Sequence, residues 1–120
     1  MAEGVIQSGR DLAVGGNPRP IACLAREGEV LIVGASGRTE FSRLFVSYLW
    51  VAEHRRGCGL GTETLRRLES EAEIRGCTDA LIETLSDRTA RLYTRIGYER
   101  VAMVPRYVGQ FTKHILIKPI

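Results

Sequence analysis

The chain has 120 residues and the composition of an ordinary globular protein, with 44% hydrophobic and 26% charged residues. This length predicts a single domain spanning residues 1–120. So much apolar material argues against intrinsic disorder, because its burial outweighs the entropy cost of folding. No apolar run approaches the ~20 residues of a membrane helix, so the sequence predicts a cytoplasmic protein with neither a secretory leader nor a membrane partner.

The charge balance is mildly basic, with Lys+Arg 17 against Asp+Glu 14. A net charge of +3 does not by itself indicate nucleic-acid binding, which requires a clustered basic footprint. It is compatible with an acidic small ligand such as a phosphate ester. Cys23, Cys58 and Cys77 lack paired spacing and predict free thiols, and His54 and His114 lie too far apart for a zinc site, so no metal is predicted.

The predicted elements begin after an irregular arm over residues 1–20, which carries several helix and strand breakers. Two strands, Ile21–Arg26 and Val30–Ala35, flank a turn and predict a hairpin. A polar, turn-like segment over residues 36–43 follows. The next stretch, Leu44–Val51, is the most apolar of the chain, and its aromatic and β-branched residues predict a central strand covered on both faces.

The second half of the chain alternates between helical and strand-like patterns. In chain order it predicts a helix over Leu60–Arg75 closed by Gly76, a buried strand over Ala80–Leu85, a short helix that Ser86 or Asp87 caps and that ends at Ile96, and strands over Tyr98–Val108 and Thr112–Ile117. Pro105 predicts an edge position or a bulge in the first of these two strands. The order β-β-β-α-β-α-β-β predicts an α/β domain with a mixed sheet and one parallel crossover near its centre.

The most informative segment is the glycine-rich loop over residues 55–62, which lies between the apolar strand and the first helix. Such a loop leaves backbone N–H groups without intrahelical partners at the positive end of a helix dipole. Its glycines allow a positive φ and a close approach of the backbone to a ligand. These properties favour an anion, and a phosphate group fits best.

Other interpretations of this loop can be compared with the residues present. The P-loop requires Lys followed by Ser or Thr after its last glycine, whereas Thr62 and Glu63 follow Gly61, which excludes that motif. A Rossmann fingerprint is an alternative in which Glu83 would be the acidic residue, although the rest of the chain is short for a doubly wound sheet. A glycine-rich turn that only starts a helix is the other alternative.

Two segments carry a resemblance to a known family. Arg56-Gly57-Cys58-Gly59-Leu60-Gly61 fits the Arg/Gln-x-x-Gly-x-Gly/Ala pattern of the GNAT superfamily of acetyltransferases. The segment Ala90–Glu99 resembles the second signature of that family, Leu-Tyr-x-Lys/Arg-x-Gly-Phe/Tyr, and follows in the expected order. The resemblance covers roughly Ala22 to the C-terminus. It implies a GNAT-like fold with a shortened N-terminal region, because the family normally places a strand and one or two helices before the hairpin.

The resemblance also implies a reaction and a set of binding residues. It implies an N-acetyltransferase that moves the acetyl group of acetyl-CoA to a small-molecule or peptide amine by direct attack in a ternary complex. In the family, the strand end contacts the pantetheine arm and the glycine loop holds the pyrophosphate. The cofactor-binding residues carried over in this way are Trp50, Val51, Arg56, Gly57, Cys58, Gly59, Leu60, Gly61, Thr62 and Ser86.

Tyr93 and Glu83 are the predicted catalytic residues. By resemblance, the Tyr93 hydroxyl points at the CoA sulfur, where a hydrogen bond can stabilise the departing thiolate. Freeing the lone pair of an alkylamine at pH 7 costs about 4–5 kcal/mol, so a base or a desolvated pocket is needed. Glu83 interrupts a predicted buried strand and is the candidate base. An ordinary strand-end carboxylate facing water is the alternative.

Two other functions stay open at this point. An acyl-CoA-binding module with little or no transferase activity is the main alternative, because the shortened N-terminal region removes part of the family's acceptor wall. A homodimer in which a partner subunit completes that wall would restore it. Nucleic-acid binding through the pairs Arg55–Arg56 and Arg66–Arg67 is disfavoured, since no aromatic residues are interleaved with them.

Overall fold

The computed structural model describes residues 17–120, which form one six-stranded sheet with two α-helices. The strands are β1 (Arg19–Glu27), β2 (Val30–Glu40), β3 (Arg43–Val51), β4 (Asp79–Thr84), β5 (Glu99–Val108) and β6 (Phe111–Pro119), and the helices are α1 (Leu60–Ile74) and α2 (Asp87–Arg95). A single 3₁₀ turn, Glu53–Arg55, precedes the glycine loop. The predicted order of strands and α-helices is therefore confirmed, although most of the predicted irregular arm lies outside the described residues.

The sheet is mixed and opens near its middle. Its strand order is β1-β2-β3-β4-β6-β5, and β3 with β4 is the parallel pair that the sequence predicted. This pair starts at Arg43 beside Asp79 and ends at Val46 beside Ile82. Beyond a bulge at Ser47, residues 48–51 of β3 stay paired with β2, while β4 continues along β6. The two central strands therefore part, and they leave a notch in the sheet.

Both helices pack on one face of this sheet. Leu65, Leu68 and Ala72 recur at helical spacing along α1 and lie in one buried cluster with Ala90 and Tyr93 of α2. Each fully buried leucine of this cluster stabilises the fold by roughly 1.5–3 kcal/mol through burial of apolar surface. Helix α1 contacts β1, β2 and β3, whereas α2 contacts β4, β5 and β6. The helices thus flank the notch from the same side.

The prediction of a polar turn over residues 36–43 is wrong. Strand β2 continues through Glu40, and Arg38 and Thr39 pair with Phe45 and Leu44 of β3. The turn needs only Phe41 and the next residue, Ser42, which have φ of 53° and 66°. Cross-strand pairing and the burial of Thr39 and Glu40 therefore extend a strand through residues whose local composition favours a turn.

The prediction that the third strand is covered on both faces is also wrong. Tyr48 is 74% exposed and Trp50 is 45% exposed, while Leu44 on the same strand is completely buried. The cause is that α1 and α2 lie on one side of the sheet, and within residues 17–120 no helix covers the other side. The apolar run is thus shared between a core face and an open face.

The predictions for the helix ends and for Pro105 are confirmed. The side chain of Ser86 caps α2 by accepting a hydrogen bond from the Thr89 backbone N–H at 3.1 Å. Gly76 follows α1 with φ of 96°. Strand β5, which contains Pro105, lies at the sheet edge, and its register with β6 shifts between Val104 and Val108. The described cysteines are all free thiols, and no helix of residues 17–120 has the length and apolar character to span a membrane.

Candidate active site

The glycine loop presents backbone donors at the start of α1. Gly57 and Gly59 have φ of 82° and 81°, a left-handed conformation that only glycine adopts readily, and Gly59 is the N-terminal cap. The first helical bond runs from the Glu63 N–H to the Gly59 carbonyl at 3.0 Å. The N–H groups of Leu60 and Gly61 precede this bond, as does that of Thr62. They are backbone donors without an intrahelical partner, as the sequence predicts, and anion binding by them stays a prediction.

Two contacts hold the loop against the sheet, one at the end of β3 and one at the end of β1. The Arg56 Nε donates a hydrogen bond to the Val51 carbonyl at 3.0 Å, and the Arg55 guanidinium pairs with the Glu27 carboxylate. Gly61 lies so close to the strand that a Cβ there would come within 3.1 Å of the Val51 Cγ2. The absence of a side chain at this position therefore lets the first turn of α1 pack directly on β3.

The loop opens into a groove of about 570 Å³ on the helix face of the notch. One wall consists of predicted cofactor residues, namely Trp50, Val51, Arg56, Gly57, Gly59, Leu60, Gly61 and Thr62. Leu49 extends this wall along β3, and the opposite wall consists of Thr89, Leu92, Tyr93 and Ile96. The two sequence signatures thus line a single groove, although they lie about thirty residues apart in the chain.

Cys58 and Ser86 do not line this groove. The exposed Cys58 thiol donates to the Arg55 carbonyl at 2.7 Å, which holds it within the loop. Ser86 uses its hydroxyl oxygen to cap α2 and, with Asp87, lines a separate depression. Cofactor binding by these two residues stays a prediction.

Tyr93 is a buried groove residue whose hydroxyl has no protein partner within residues 17–120. The residue is 7% exposed, and burial raises the pKa of its hydroxyl, which keeps the proton in place at neutral pH. Its ring lies 6.0 Å from that of Tyr98. The Tyr98 hydroxyl, by contrast, donates to the buried Glu69 carboxylate at 2.6 Å. Of this pair, Tyr93 is the tyrosine that can donate a hydrogen bond to a ligand in the groove.

A second cavity, of about 560 Å³, lies at the point where β3 and β4 part. Its lining includes Phe45, Leu81 and Glu83. Phe45 lies beside Leu81 in the β3–β4 ladder, and Glu83 lies on the same face of β4 as Leu81, away from the helices. The full lining comprises Arg38, Phe45, Val46, Ser47, Leu81, Glu83, Thr84, Leu85, Tyr107 and Lys113. The predicted catalytic residues Tyr93 and Glu83 therefore line different cavities at the same notch.

Glu83 forms an ion pair with Lys113, a residue that the sequence did not indicate as part of the site. The Lys113 Nζ lies 2.8 Å from the Glu83 Oε2 and donates to the Tyr107 hydroxyl at 3.3 Å. It also lies 4.4 Å from the centre of the Tyr107 ring, a cation–π distance. The hydrogen bond to Glu83 raises the pKa of Lys113, so the ammonium keeps its charge at neutral pH.

Two further contacts near the notch were not predicted. The Arg38 guanidinium lies 4.1 Å from the centre of the Phe45 ring, and its Nε donates to Glu40 at 3.3 Å. On the helix side, the Nε2 of His114 lies 2.6 Å from an Asp87 carboxylate oxygen. His114 is buried and its Nδ1 has no partner in the described part of the chain, so this bond ties β6 to the first turn of α2. No group of three metal-ligating side chains occurs among residues 17–120.

Comparison with known proteins identifies relatives of this arrangement. Residues 19–100 match the acetyltransferase (GNAT) domain family. Blasticidin-S acetyltransferase from Streptomyces morookaense is 35% identical over 88 residues, which is 72% of this chain and 65% of that relative's length. The chain thus spans less than two thirds of this curated relative.

Solved structures share the fold over nearly the whole chain. An acetyltransferase from Bacillus cereus ATCC 14579 superimposes with a TM-score of 0.89 at 24% identity, covering 99% of this chain and 88% of its own. An aminoglycoside 6'-N-acetyltransferase complexed with coenzyme A gives a TM-score of 0.75 at 20% identity, covering 86% and 74%. The family match spans both the glycine loop and Tyr93, and the fold agrees with it. The chain therefore belongs to the GNAT family of acetyltransferases.

Proposed function

We propose that this protein transfers the acetyl group of acetyl-CoA to an amine acceptor by direct attack in a ternary complex. The observation that carries the proposal is the groove itself. Its lining combines the start of α1, the end of β3 and Tyr93 of α2. A phosphate-bearing thioester needs the features that these elements supply, namely an anion site, a channel and a hydrogen-bond donor for the reacting end.

The groove fits acetyl-CoA chemically. The N–H groups of Leu60 and its two successors can receive the pyrophosphate, and the open space beside Gly57 and Gly59 lets the ligand approach the backbone. Beyond Val46, β3 has lost its parallel neighbour. Backbone groups on that edge can therefore bind the amides of a pantetheine arm as they would bind an added strand. Bound here, acetyl-CoA supplies the thioester whose acyl group is transferred.

Tyr93 acts on the leaving sulfur. Proton transfer from a tyrosine of pKa near 10 to a thiolate whose conjugate acid has a pKa of about 8.5 is uphill by roughly 2 kcal/mol. Burial raises the pKa of Tyr93 further, which makes full transfer still less favourable. Tyr93 therefore stabilises the thiolate by donating a hydrogen bond, and solvent completes the protonation.

Glu83 is the proposed base on the acceptor side. Its carboxylate lines the cavity at the parting of β3 and β4, so an amine bound there can lie beside the notch that opens to the groove. Removing the proton from an alkylammonium at pH 7 costs about 4–5 kcal/mol. A carboxylate can accept this proton directly or through a water that Ser47, on the facing strand, helps to position.

A second candidate function has an observation of its own. The carboxylate of Glu83 is already paired with the Lys113 ammonium at 2.8 Å. If an acceptor does not displace Lys113, the base stays occupied, and the protein binds acyl-CoA with little or no transfer.

Binding tests the cofactor half of the proposal. We expect calorimetry to show acetyl-CoA binding that Gly59→Ala weakens about tenfold or more, because the left-handed turn that aims the donors becomes strained. Gly76→Ala is the matched control. Gly76 also has a positive φ and open space around it, but it ends α1, whereas Gly59 begins it. Equal affinities of both variants and the wild type would contradict the assignment of the loop.

Turnover separates the two candidate functions. Release of the CoA thiol is measured with acetyl-CoA and an amine panel that includes blasticidin S, an aminoglycoside and a peptide with an N-terminal alanine. We expect release that depends on an amine and that Glu83→Gln reduces by about 10²–10⁴-fold, the usual range for a general base. Binding of acetyl-CoA without amine-dependent release would favour the binding module instead.

A further inference from the structure

The charges around the second cavity narrow the class of acceptor. We propose that the acceptor is an amine that also carries a carboxylate, with Lys113 and Arg38 binding the carboxylate while Glu83 receives the amine. This inference rests on the proposed function and assigns two specificity-determining residues to its acceptor side.

The first observation is the charge of the cavity lining. Arg38 and Lys113 contribute two positive charges against one negative charge from Glu83, so the lining carries a net charge of +1. Glu40, the partner of Arg38, is buried and does not line the cavity. An acceptor with only an ammonium group offers no anion to the two cationic side chains of the lining. An acceptor with an added carboxylate is complementary to both signs.

The second observation is the bond that an acceptor must break. In the structure the Lys113 ammonium forms an ion pair with the Glu83 carboxylate, so an incoming amine has to replace Lys113 in this pair. A plain amine takes the carboxylate and leaves Lys113 with only the neutral Tyr107 hydroxyl. An acceptor carboxylate gives Lys113 a new charged partner, so one ion pair is exchanged for two. Lys113 thereby leaves the Glu83 carboxylate when it binds the carboxylate of the acceptor.

The third observation is the geometry of Arg38. Its guanidinium is stacked on Phe45, directly across the β2–β3 ladder, and this contact orients the planar group. Its Nε is the nitrogen that bonds Glu40, and within residues 17–120 the terminal nitrogens donate no hydrogen bond. The side chain is 47% exposed, so these donors can meet a carboxylate in the cavity. A planar fork of donors is the arrangement that recognises such a group.

The experiment compares amines with and without this anion, and kcat/KM is calculated on the unprotonated amine because amidation also lowers the pKa of the amine. The probes are α- and ω-amino acids, each paired with its carboxamide, and the readout is kcat/KM for thiol release at saturating acetyl-CoA. We expect the best carboxylate probes to exceed their carboxamides by about tenfold or more, the effect of one charge-assisted hydrogen bond. Lys113→Gln and Arg38→Gln should each bring this ratio close to one. Lys113→Arg should retain a preference, and Arg100→Gln, which removes an exposed charge outside the cavity, should leave the ratio unchanged.

Binding of the same probes to the complex with CoA is measured by calorimetry, so that the inference does not depend on turnover alone. A ratio near one in the wild type, or a preference that survives in both Lys113→Gln and Arg38→Gln, would overturn it. So would the absence of both binding and turnover for every carboxylate probe. Failure of acetyl-CoA to bind at all would instead refute the proposed function, and the two failures are therefore distinguishable.

Discussion

Tyr93 and Tyr98 offer a test in which one hydroxyl is removed from each of two neighbouring rings. Both residues are buried and their ring centres lie 6.0 Å apart. Their hydroxyls differ in partners, because that of Tyr98 donates to Glu69 at 2.6 Å and that of Tyr93 has no protein partner within residues 17–120. Substitution of each by Phe keeps the ring and removes only the oxygen.

The expected magnitudes follow from what each hydroxyl touches. A hydrogen bond to a charged group contributes about 1.5–3 kcal/mol. In the proposed reaction the charge near Tyr93 develops on the leaving sulfur, so Tyr93→Phe should lower kcat by about 10- to 150-fold and leave the free energy of unfolding within about 0.5 kcal/mol of wild type. For Tyr98 the charge is the buried Glu69 carboxylate in the folded protein. Tyr98→Phe should therefore lower Tm by roughly 5–15 °C and leave kcat nearly unchanged.

The assays are thiol release at saturating acetyl-CoA and a thermal melt of each variant. Activity is measured well below the Tm of Tyr98→Phe, so that loss of folded protein does not mimic loss of catalysis. Burial raises the pKa of Tyr93 above the ordinary tyrosine value of 10.0, so we expect no loss of kcat from ionisation of this donor at any pH below that value. A Tyr93→Phe variant with wild-type kcat would refute the role of this hydroxyl.

Three other perturbations probe the fold around the notch. Asp79→Asn should cost about 1 kcal/mol of stability at pH 7, since the bidentate bonds of Arg43 at 2.8 Å lower the pKa of Asp79 below its ordinary value of 3.8. That contribution is complete above pH 3.8 and is lost as pH falls through the lower folded value, so melts of variant and wild type should converge in strong acid. His114→Gln, whose amide can still donate to Asp87, should retain more stability than His114→Asn, and equal melts would contradict a structural role for this bond. Gly61→Ala should weaken acetyl-CoA binding severalfold in calorimetry, because its Cβ meets the end of β3 at 3.1 Å, and an unchanged affinity would show that the helix can shift freely.

The parts of the site that depend on local chemistry could be predicted from the sequence. The positions of Gly57, Gly59 and Gly61 indicated a helix start with free donors, and the structure has left-handed φ values at the first two and a close approach at the third. Ser86 as the cap of α2 is equally local, since the capping bond spans three residues. Backbone conformation and capping are decided by neighbours in the chain, which a single sequence displays.

The partner of Glu83 could not be predicted in this way. Glu83 pairs with Ile115 across the β4–β6 ladder, and Lys113 lies two residues from Ile115 on the same face. The two charges are thus diagonal neighbours, within reach of each other only because this ladder has this register. One feature of the sequence distinguishes Lys113: it is one of only two lysines among the 17 basic residues of the chain.

Glu83 and Tyr93 lie on opposite faces of the sheet because the chain changes face between β4 and α2. Strand β4 ends at Thr84, one residue after Glu83, and α2 begins at Asp87 on the helix face. Only two residues therefore connect β4, which lines the second cavity, to α2, which lines the groove. Since β3 has already parted from β4 at Val46, no strand of residues 17–120 closes the space between the two faces at this level. In the proposed reaction, an acyl group in the groove and an amine in the cavity meet through this notch. The proposed ternary complex therefore depends on the parting of the central strands, and we expect a substitution that restored pairing beyond Val46 to abolish transfer even if each substrate still bound.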